Sequence, residues 1–330
     1  MTQPADHSPS TPTRRGFLKS AGATAAAWPV VTASAQDRTT QRQEALAING
    51  GKPAVTAPFT DATTWPQFGE QEEEAVLALV RSPSYDPIAQ LEQEWKDYFG
   101  VDHATTYCNG TSAIAAMYFA LDLPPGSEVI VPSYTFFATI VPLRLFGLVP
   151  VFVDVDPRTL NFDLDDAKRR LTAKTRALVP VHWFGNPCEM EAICAWADEK
   201  GLIVLEDAAH AHGAKLNGKW LGSWGRMGIF SYQATKPLPA IEGGMGVYQH
   251  QDDCDRATAF GHYDRCQGEY AKYKGTGLGT KMRMHPMAAA LARCQLRQLA
   301  DRNAAGLAQI RLLNDQLTEL PGLHEQRAPE

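Results

Sequence analysis

From Ala104 onward the chain alternates short uninterrupted apolar runs with stretches of helical periodicity. That rhythm restricts the available folds more than any other feature of the sequence. It predicts strands at 105–108, 128–131, 150–153, 177–181 and 202–205. Helices at 112–121, 137–146, 164–171 and 190–200 fall between them. A strand with no polar alternation is buried on both faces, and a helix after each strand returns the chain to start a parallel neighbour. The fold class is therefore α/β, with a mostly parallel sheet covered by helices on both faces. Sites on such sheets gather beyond the carboxyl ends of the strands. Asn109, Phe136, Asp154, His182 and Asp207 all fall at such ends.

Two helices, 69–81 and 88–99, precede this rhythm, and a strand at 246–248 follows it. Two late helices are expected at 287–299 and 304–320, the second with Leu307, Ile310, Leu313, Leu317 and Leu320 on one face. With 330 residues the chain is long enough for one large domain with an appendage. It carries 37 acidic against 31 basic residues, and a net charge of −6 gives no reason to expect nucleic acid or an anionic membrane as partner.

The N-terminus reads as a leader rather than as fold. Thr13-Arg14-Arg15-Gly16-Phe17-Leu18-Lys19 resembles a twin-arginine export motif, and a weakly apolar run to Val31 leads into the small-x-small pattern Ala33-Ser34-Ala35. That run is shorter than the ~20 residues a membrane span needs. The expectation is a signal peptide over 1–35, an irregular lead-in over 36–60, and a periplasmic or extracytoplasmic mature protein with no membrane span. The six cysteines are scattered without a Cys-x-x-Cys pair or zinc-like spacing, so unpaired, mostly buried thiols and no metal site are expected.

Two residues carry the chemistry. Asp207 closes the apolar strand Leu202–Leu205, where a carboxylate needs a partner, either a pyridinium N–H or an ordinary helix cap or ion pair. Lys236 sits among small and apolar residues in Phe230-Ser231-Tyr232-Gln233-Ala234-Thr235-Lys236, with Pro237 and Pro239 after it, so burial and a depressed pKa are expected. A lysine that forms a Schiff base and an aspartate that keeps a pyridine nitrogen protonated are what a pyridoxal-phosphate enzyme requires. Asn109-Gly110-Thr111-Ser112 joins a strand to a helix and is either a phosphate site or a plain N-cap. Phe136 is either a plate for the ring or core, and Ser231 either a phosphate contact or a turn hydroxyl.

The run of motifs from about Gly50 to Leu320 resembles the DegT/StrS-type aminotransferases. The matching segments are 109–113, 128–139, 150–156, 180–187, 206–214, 230–236 and 242–244. The resemblance implies the aspartate-aminotransferase-like, PLP-dependent transferase fold and a homodimer with sites at the subunit interface. It implies a large domain over 61–286 and the start of a small C-terminal domain over 287–330, which family members continue further. It also implies Lys236 as Schiff-base lysine, Asp207 on the pyridine nitrogen, His210 near the ring and its hydroxyl, Phe136 stacked on the ring, and Gly110, Thr111, Ser112 and Ser231 on the phosphate. Where relatives often read Gly-x-Asn-x-Arg, this chain reads Gly279-Thr280-Lys281-Met282-Arg283.

The expected activity is transfer of an amino group from glutamate or glutamine to a keto-sugar or keto-cyclitol. Two alternatives stay open: a degenerate member that binds cofactor or sugar without catalysis, and a pyridoxal-phosphate enzyme of another reaction type such as dehydration. His182 and Trp183 are placed at a strand end facing the site, with no further role.

Overall fold

The computed structural model describes residues 64–326, together with 45, 47–53, 55 and 56. The leader expected at 1–35 lies outside the described residues. The chain divides into two compact units, Met1–Thr60 and Asp61–Glu330. Within the first, the described residues contain one 3-10 turn, Ala47–Asn49.

In the second unit, α1 (Glu70–Arg81) begins on three acidic residues in its first turn, and Glu72 folds back to accept the Gly69 amide at 2.9 Å. Helix α2 (Asp86–Phe99) turns Ile88, Leu91, Trp95 and Phe99 inward at helical spacing. Strand β1 (His103–Tyr107) leads into α3 (Gly110–Ala120). Then come β2 (Glu128–Pro132), β3 (Val149–Val153), α4 (Leu164–Arg170), β4 (Thr175–Leu178), α5 (Met190–Lys200) and β5 (Ile203–Asp207). A small hairpin, β6 (Lys215–Leu216) with β7 (Lys219–Trp220), precedes β8 (Met227–Ser231) and β9 (Gly244–Tyr248). Helices α6 (Gln251–Gly261) and α7 (Pro286–Leu317) follow.

The main sheet has the order β1-β9-β8-β5-β4-β2-β3. All neighbours are parallel except β9, which runs antiparallel to both β1 and β8. Six strands therefore end on one edge, and β9 begins there. Both faces are buried through the middle of the sheet, while edge strand β3 leaves Val149 and Phe152 exposed. Ile130, Leu178, Val204, Phe230 and Val247 join α2, α5 and α7 in one core. Val129, Val131, Ala177, Val179, Leu205, Met227 and Ile229 join α3 and α6 in the other. Successive residues of one strand thus serve opposite cores.

Three elements differ from expectation. The segment 137–146 is two 3-10 turns, Phe137–Thr139 and Val141–Phe146, instead of a helix. Pro142 has no N–H to give, so an α-helical ladder cannot run through it. The strand expected over 177–181 stops at Leu178, and only a lone bridge, Val181 to Asp207, continues it. The two late helices are one continuous helix, α7. Its polar middle read as a gap, but Arg302 and Asn303 reach sideways to the carbonyls of Pro237 and His212. The first half of α7 lies on α1 and α2, where Gln295 donates to Glu72 and Arg293 pairs with Glu94. The second half carries Leu307, Ile310, Leu313 and Leu317 exposed.

All six cysteines are free, four buried and two half-buried. Among the described residues no helix is long and apolar enough to cross a membrane, and no group of three His, Cys, Asp or Glu could hold a metal.

Candidate active site

A cleft of about 540 Å³ opens at the carboxyl edge of the sheet. Gly110, Thr111, Phe136, Asp207, His210, Ser231 and Lys236 all line it, so seven of the eight residues singled out from sequence meet in one place. The eighth, Ser112, does not line it. Its amide is taken by the Asn109 side chain at 2.8 Å, and its hydroxyl lies 3.1 Å from the Cys108 sulfur.

Asn109 caps α3 with extended backbone, and its side chain holds the third amide of the helix. The Gly110 and Thr111 amides ahead of it are the orphan donors every helix start leaves. The exposed Thr111 stands beside them at the cleft. Gly110 is needed for close approach, because a Cβ there would meet the Ser231 Cβ at 2.8 Å. Gly244 is needed for the same reason, because its Cβ would stand 2.6 Å from the Asn109 carbonyl oxygen. These two glycines let the turn after β1, the end of β8 and the start of β9 close into one cradle.

Asp207 ends β5 and is only 5% exposed. One carboxylate oxygen accepts the Thr139 hydroxyl at 2.7 Å, and the other accepts the Ala209 amide at 3.1 Å. Among the described residues no cation pairs with it, so acceptor capacity remains free toward the cleft. Lys236 lies on the loop after β8, and its amide donates to the Gln233 carbonyl at 2.9 Å. Burial lowers its pKa, while the charge of Asp207 opposes that shift. The side chain is half-buried rather than buried, because the cleft keeps it open to solvent on one side.

His210 is half-buried, and its Nδ1 accepts the Phe184 amide at 3.2 Å. Burial, then the charge of Lys236, lower its pKa against the pull of Asp207. The neutral ring therefore carries its proton on Nε2. Phe136 is 58% exposed, so it is a side chain of the cleft mouth and not of the core.

Two expectations about neighbours change. His182 is fully buried and turned away from the cleft. Its Nδ1 accepts the Cys188 amide, and its Nε2 lies 3.0 Å from Glu206. Asp154 is exposed and absent from the cleft lining, with its amide bonded to Asp166. Trp183 does line the cleft. Lys281 and Arg283 line a neighbouring groove of about 1040 Å³, which shares Glu242 with the cleft. Arg283 pairs with Asp264 at 2.9 Å and lies over the Tyr85 ring.

The sequence reading missed Thr135 and Thr139. Thr139 is 1% exposed and bonds Asp207, and its hydroxyl is 2.8 Å from that of Thr135, which lines the cleft. A threonine pair four residues apart carries no signal until Asp207, far along the chain, is brought beside it.

These parts fit pyridoxal phosphate. The orphan amides and hydroxyls at the cradle suit a phosphate, the buried carboxylate suits a ring N–H, and an amine of lowered pKa stands in the same cleft.

Comparison with known proteins agrees. A family model for the DegT/DnrJ/EryC1/StrS aminotransferase family matches residues 66–330. The chain is 31% identical over 284 residues to a protein of Streptoalloteichus tenebrarius designated an L-glutamine:3-amino-2,3-dideoxy-scyllo-inosose aminotransferase, covering 84% of this chain and 68% of that one. It is 35% identical over 216 residues to the GDP-perosamine synthase of Escherichia coli O157:H7, covering 65% of this chain and 58% of that one. The solved structure of the aminotransferase from Psychrobacter cryohalolentis superposes with a TM-score of 0.68 at 33% identity, covering 72% of this chain and 64% of that one. The chain thus spans less than two thirds of the length of some of the relatives it matches. It belongs to the DegT/DnrJ/EryC1/StrS aminotransferase family, whose cofactor is pyridoxal 5′-phosphate.

Proposed function

We propose that this chain transfers an amino group from glutamate or glutamine to a keto-sugar or keto-cyclitol, with Lys236 holding the cofactor covalently between turnovers. The carrying observation is that the Lys236 amine and the Asp207 carboxylate line one cleft at the carboxyl edge of the sheet. When bound, pyridoxal phosphate supplies an electron sink for the carbon that bears the amino group.

The chain's own groups do the rest. Asp207 holds a proton at the ring nitrogen, because its carboxylate is buried and keeps free acceptor capacity. The Gly110 and Thr111 amides, with the Thr111 and Ser231 hydroxyls, receive the phosphate. His210 offers its Nε2 proton, since Nδ1 is occupied by the Phe184 amide. Phe136 covers a face of the ring from the cleft mouth. A released Lys236 amine takes the proton from the donor's alpha carbon, and its lowered pKa favours the uncharged form this requires. The glutamine donor and the cyclitol or sugar acceptor are supported by the names of the two relatives above.

Two wider assignments accompany this reading. Large apolar side chains stand exposed around the mouth and along edge strand β3: Phe136, Phe137, Val141, Leu145, Phe152 and Phe184. Such a patch fits burial by a second copy of the chain, and sedimentation of the purified protein checks for a dimer. Residues 1–35 would direct export by the twin-arginine route, tested by a reporter fused after Ala35 with and without Arg14-Arg15→Lys-Lys.

The central test is an absorbance scan of purified protein. A visible band from lysine-bound cofactor should be present, should vanish in Lys236→Ala, and should bleach when glutamate or glutamine is added. No band, or one unchanged in Lys236→Ala, rules the scheme out. A band that ignores both donors favours a binding protein without catalysis.

A further inference from the structure

Asp207 is a buried carboxylate with no cation paired to it among the described residues, so the groups that fix it decide how well it can serve the ring nitrogen. The Thr139 hydroxyl has one proton and gives it to Asp207 at 2.7 Å. Its oxygen then faces the Thr135 hydroxyl, 2.8 Å away, which must act as donor. The hydroxyls therefore run in one direction, from Thr135 in the cleft wall through Thr139 to the carboxylate. Thr139 is anchored on both sides of its own backbone. Its amide donates to the Phe136 carbonyl at 3.1 Å, and its carbonyl accepts the buried Tyr118 hydroxyl at 2.6 Å. The same short turn thus carries the Phe136 ring and the clamp on Asp207.

We propose that Thr139, ordered by Thr135 and Tyr118, is a positioning residue that aims the Asp207 carboxylate at the cofactor's ring nitrogen and keeps that nitrogen protonated. The inference rests on the function proposed above, because it needs a pyridine ring at Asp207. A merely structural threonine would fill space and satisfy Asp207 without influencing the bound ring. The titratable groups facing Asp207 are Lys236, His210 and Tyr118. All three are unchanged in the variants below.

The test uses the full chain loaded with pyridoxal phosphate. Two quantities are read: the cofactor dissociation constant and the pH midpoint of the visible band. Thr139→Val keeps the shape and removes the donor. It should weaken cofactor binding about tenfold, the size of one hydrogen bond to a charged group. It should also move the midpoint upward, because a ring that has lost its nitrogen proton no longer disfavours a proton on the lysine-bound nitrogen. Thr139→Ser should stay close to the parent in both. Thr135→Val should shift both in the same direction by less, and it decides the question should Thr139→Val fail to fold. Unchanged binding and midpoint in the Val variants, or a Ser variant as impaired as Thr139→Val, overturns the role of Thr139. A parent protein with no visible band overturns the proposed function itself, so the two failures are distinct.

Discussion

Glu206 and Asp207 are consecutive on β5, both are buried, and they face opposite sides of the sheet with opposite fates. Glu206 has three partners. It accepts the Gly222 and Gly225 amides, each at 2.7 Å, and stands 3.0 Å from His182 Nε2. Glu92 takes four donors, from the Thr106 amide and hydroxyl and two Arg265 guanidinium nitrogens. Asp207 has one donor on each oxygen and no cation among the described residues. Burying a charge costs free energy unless it is paired. A carboxylate held by three or four donors is a joint of the fold, whereas Asp207, with two, keeps acceptor capacity toward the cleft.

The sharpest way to break this contrast is to neutralise each neighbour in turn. Asp207→Asn should cut amino transfer by more than about 100-fold, as loss of a proton-handling group does, and leave the urea unfolding midpoint close to the parent. Glu206→Gln should do the reverse and cost about 3 kcal/mol of stability, because amides directed at a charge lose it. A Glu206 variant that folds normally but loses transfer would end the distinction. Glu92→Ala extends the comparison. It strands Arg265 beside a buried hole and should also cost about 3 kcal/mol, with cofactor affinity unchanged in the fraction that remains folded.

Acid separates the two sides further. Burial first, and then the charge of Lys236, pushes His212 down to about 3, and burial and then Arg265 push His262 down to about 4. Unfolded imidazoles take up protons near 6.5 while these two resist. Below that value the unfolded chain binds more protons, so stability falls as pH drops through the window from about 6.5 toward 4 and 3. His212→Phe should flatten the fall by about 1.4 kcal/mol per pH unit, read from urea midpoints across that range. The smallest effect is at the cradle. Asn109→Ala should cost about 1 kcal/mol as a lost cap, and a larger loss of cofactor affinity than of stability would show that the cap also shapes the phosphate end.

Much of this was legible in the residue order. Unbroken apolar runs followed by helices required a parallel sheet, and Asp207 and Lys236 then had to emerge near one edge. What was not legible depended on direction or on distant partners. His182 looked like a lining residue because it follows a strand. The face it takes depends on how Val181 bridges to Asp207, and no local pattern reveals that. Ser112 was read as a phosphate contact through its hydroxyl, yet it does not line the cleft and that hydroxyl lies 3.1 Å from the Cys108 sulfur. The break of 137–146 into two turns could have been anticipated from Pro142. The Thr139 clamp could not, because nothing near Thr139 in the chain announces Asp207.

The reversed strand β9 has a consequence for how the molecule comes into being. Tyr107 pairs with Gly244, and Gly244 packs against the Asn109–Gly110 turn. The sheet can seat β1 only after β9 has been synthesised, a long loop to close and a slow kind of contact to make. On the assignment proposed above, a nascent chain that has just finished Lys236 would hold the anchoring amine but no finished seat for the phosphate. Loading of the cofactor at that cradle would then wait for residues up to Tyr248 to clear the ribosome.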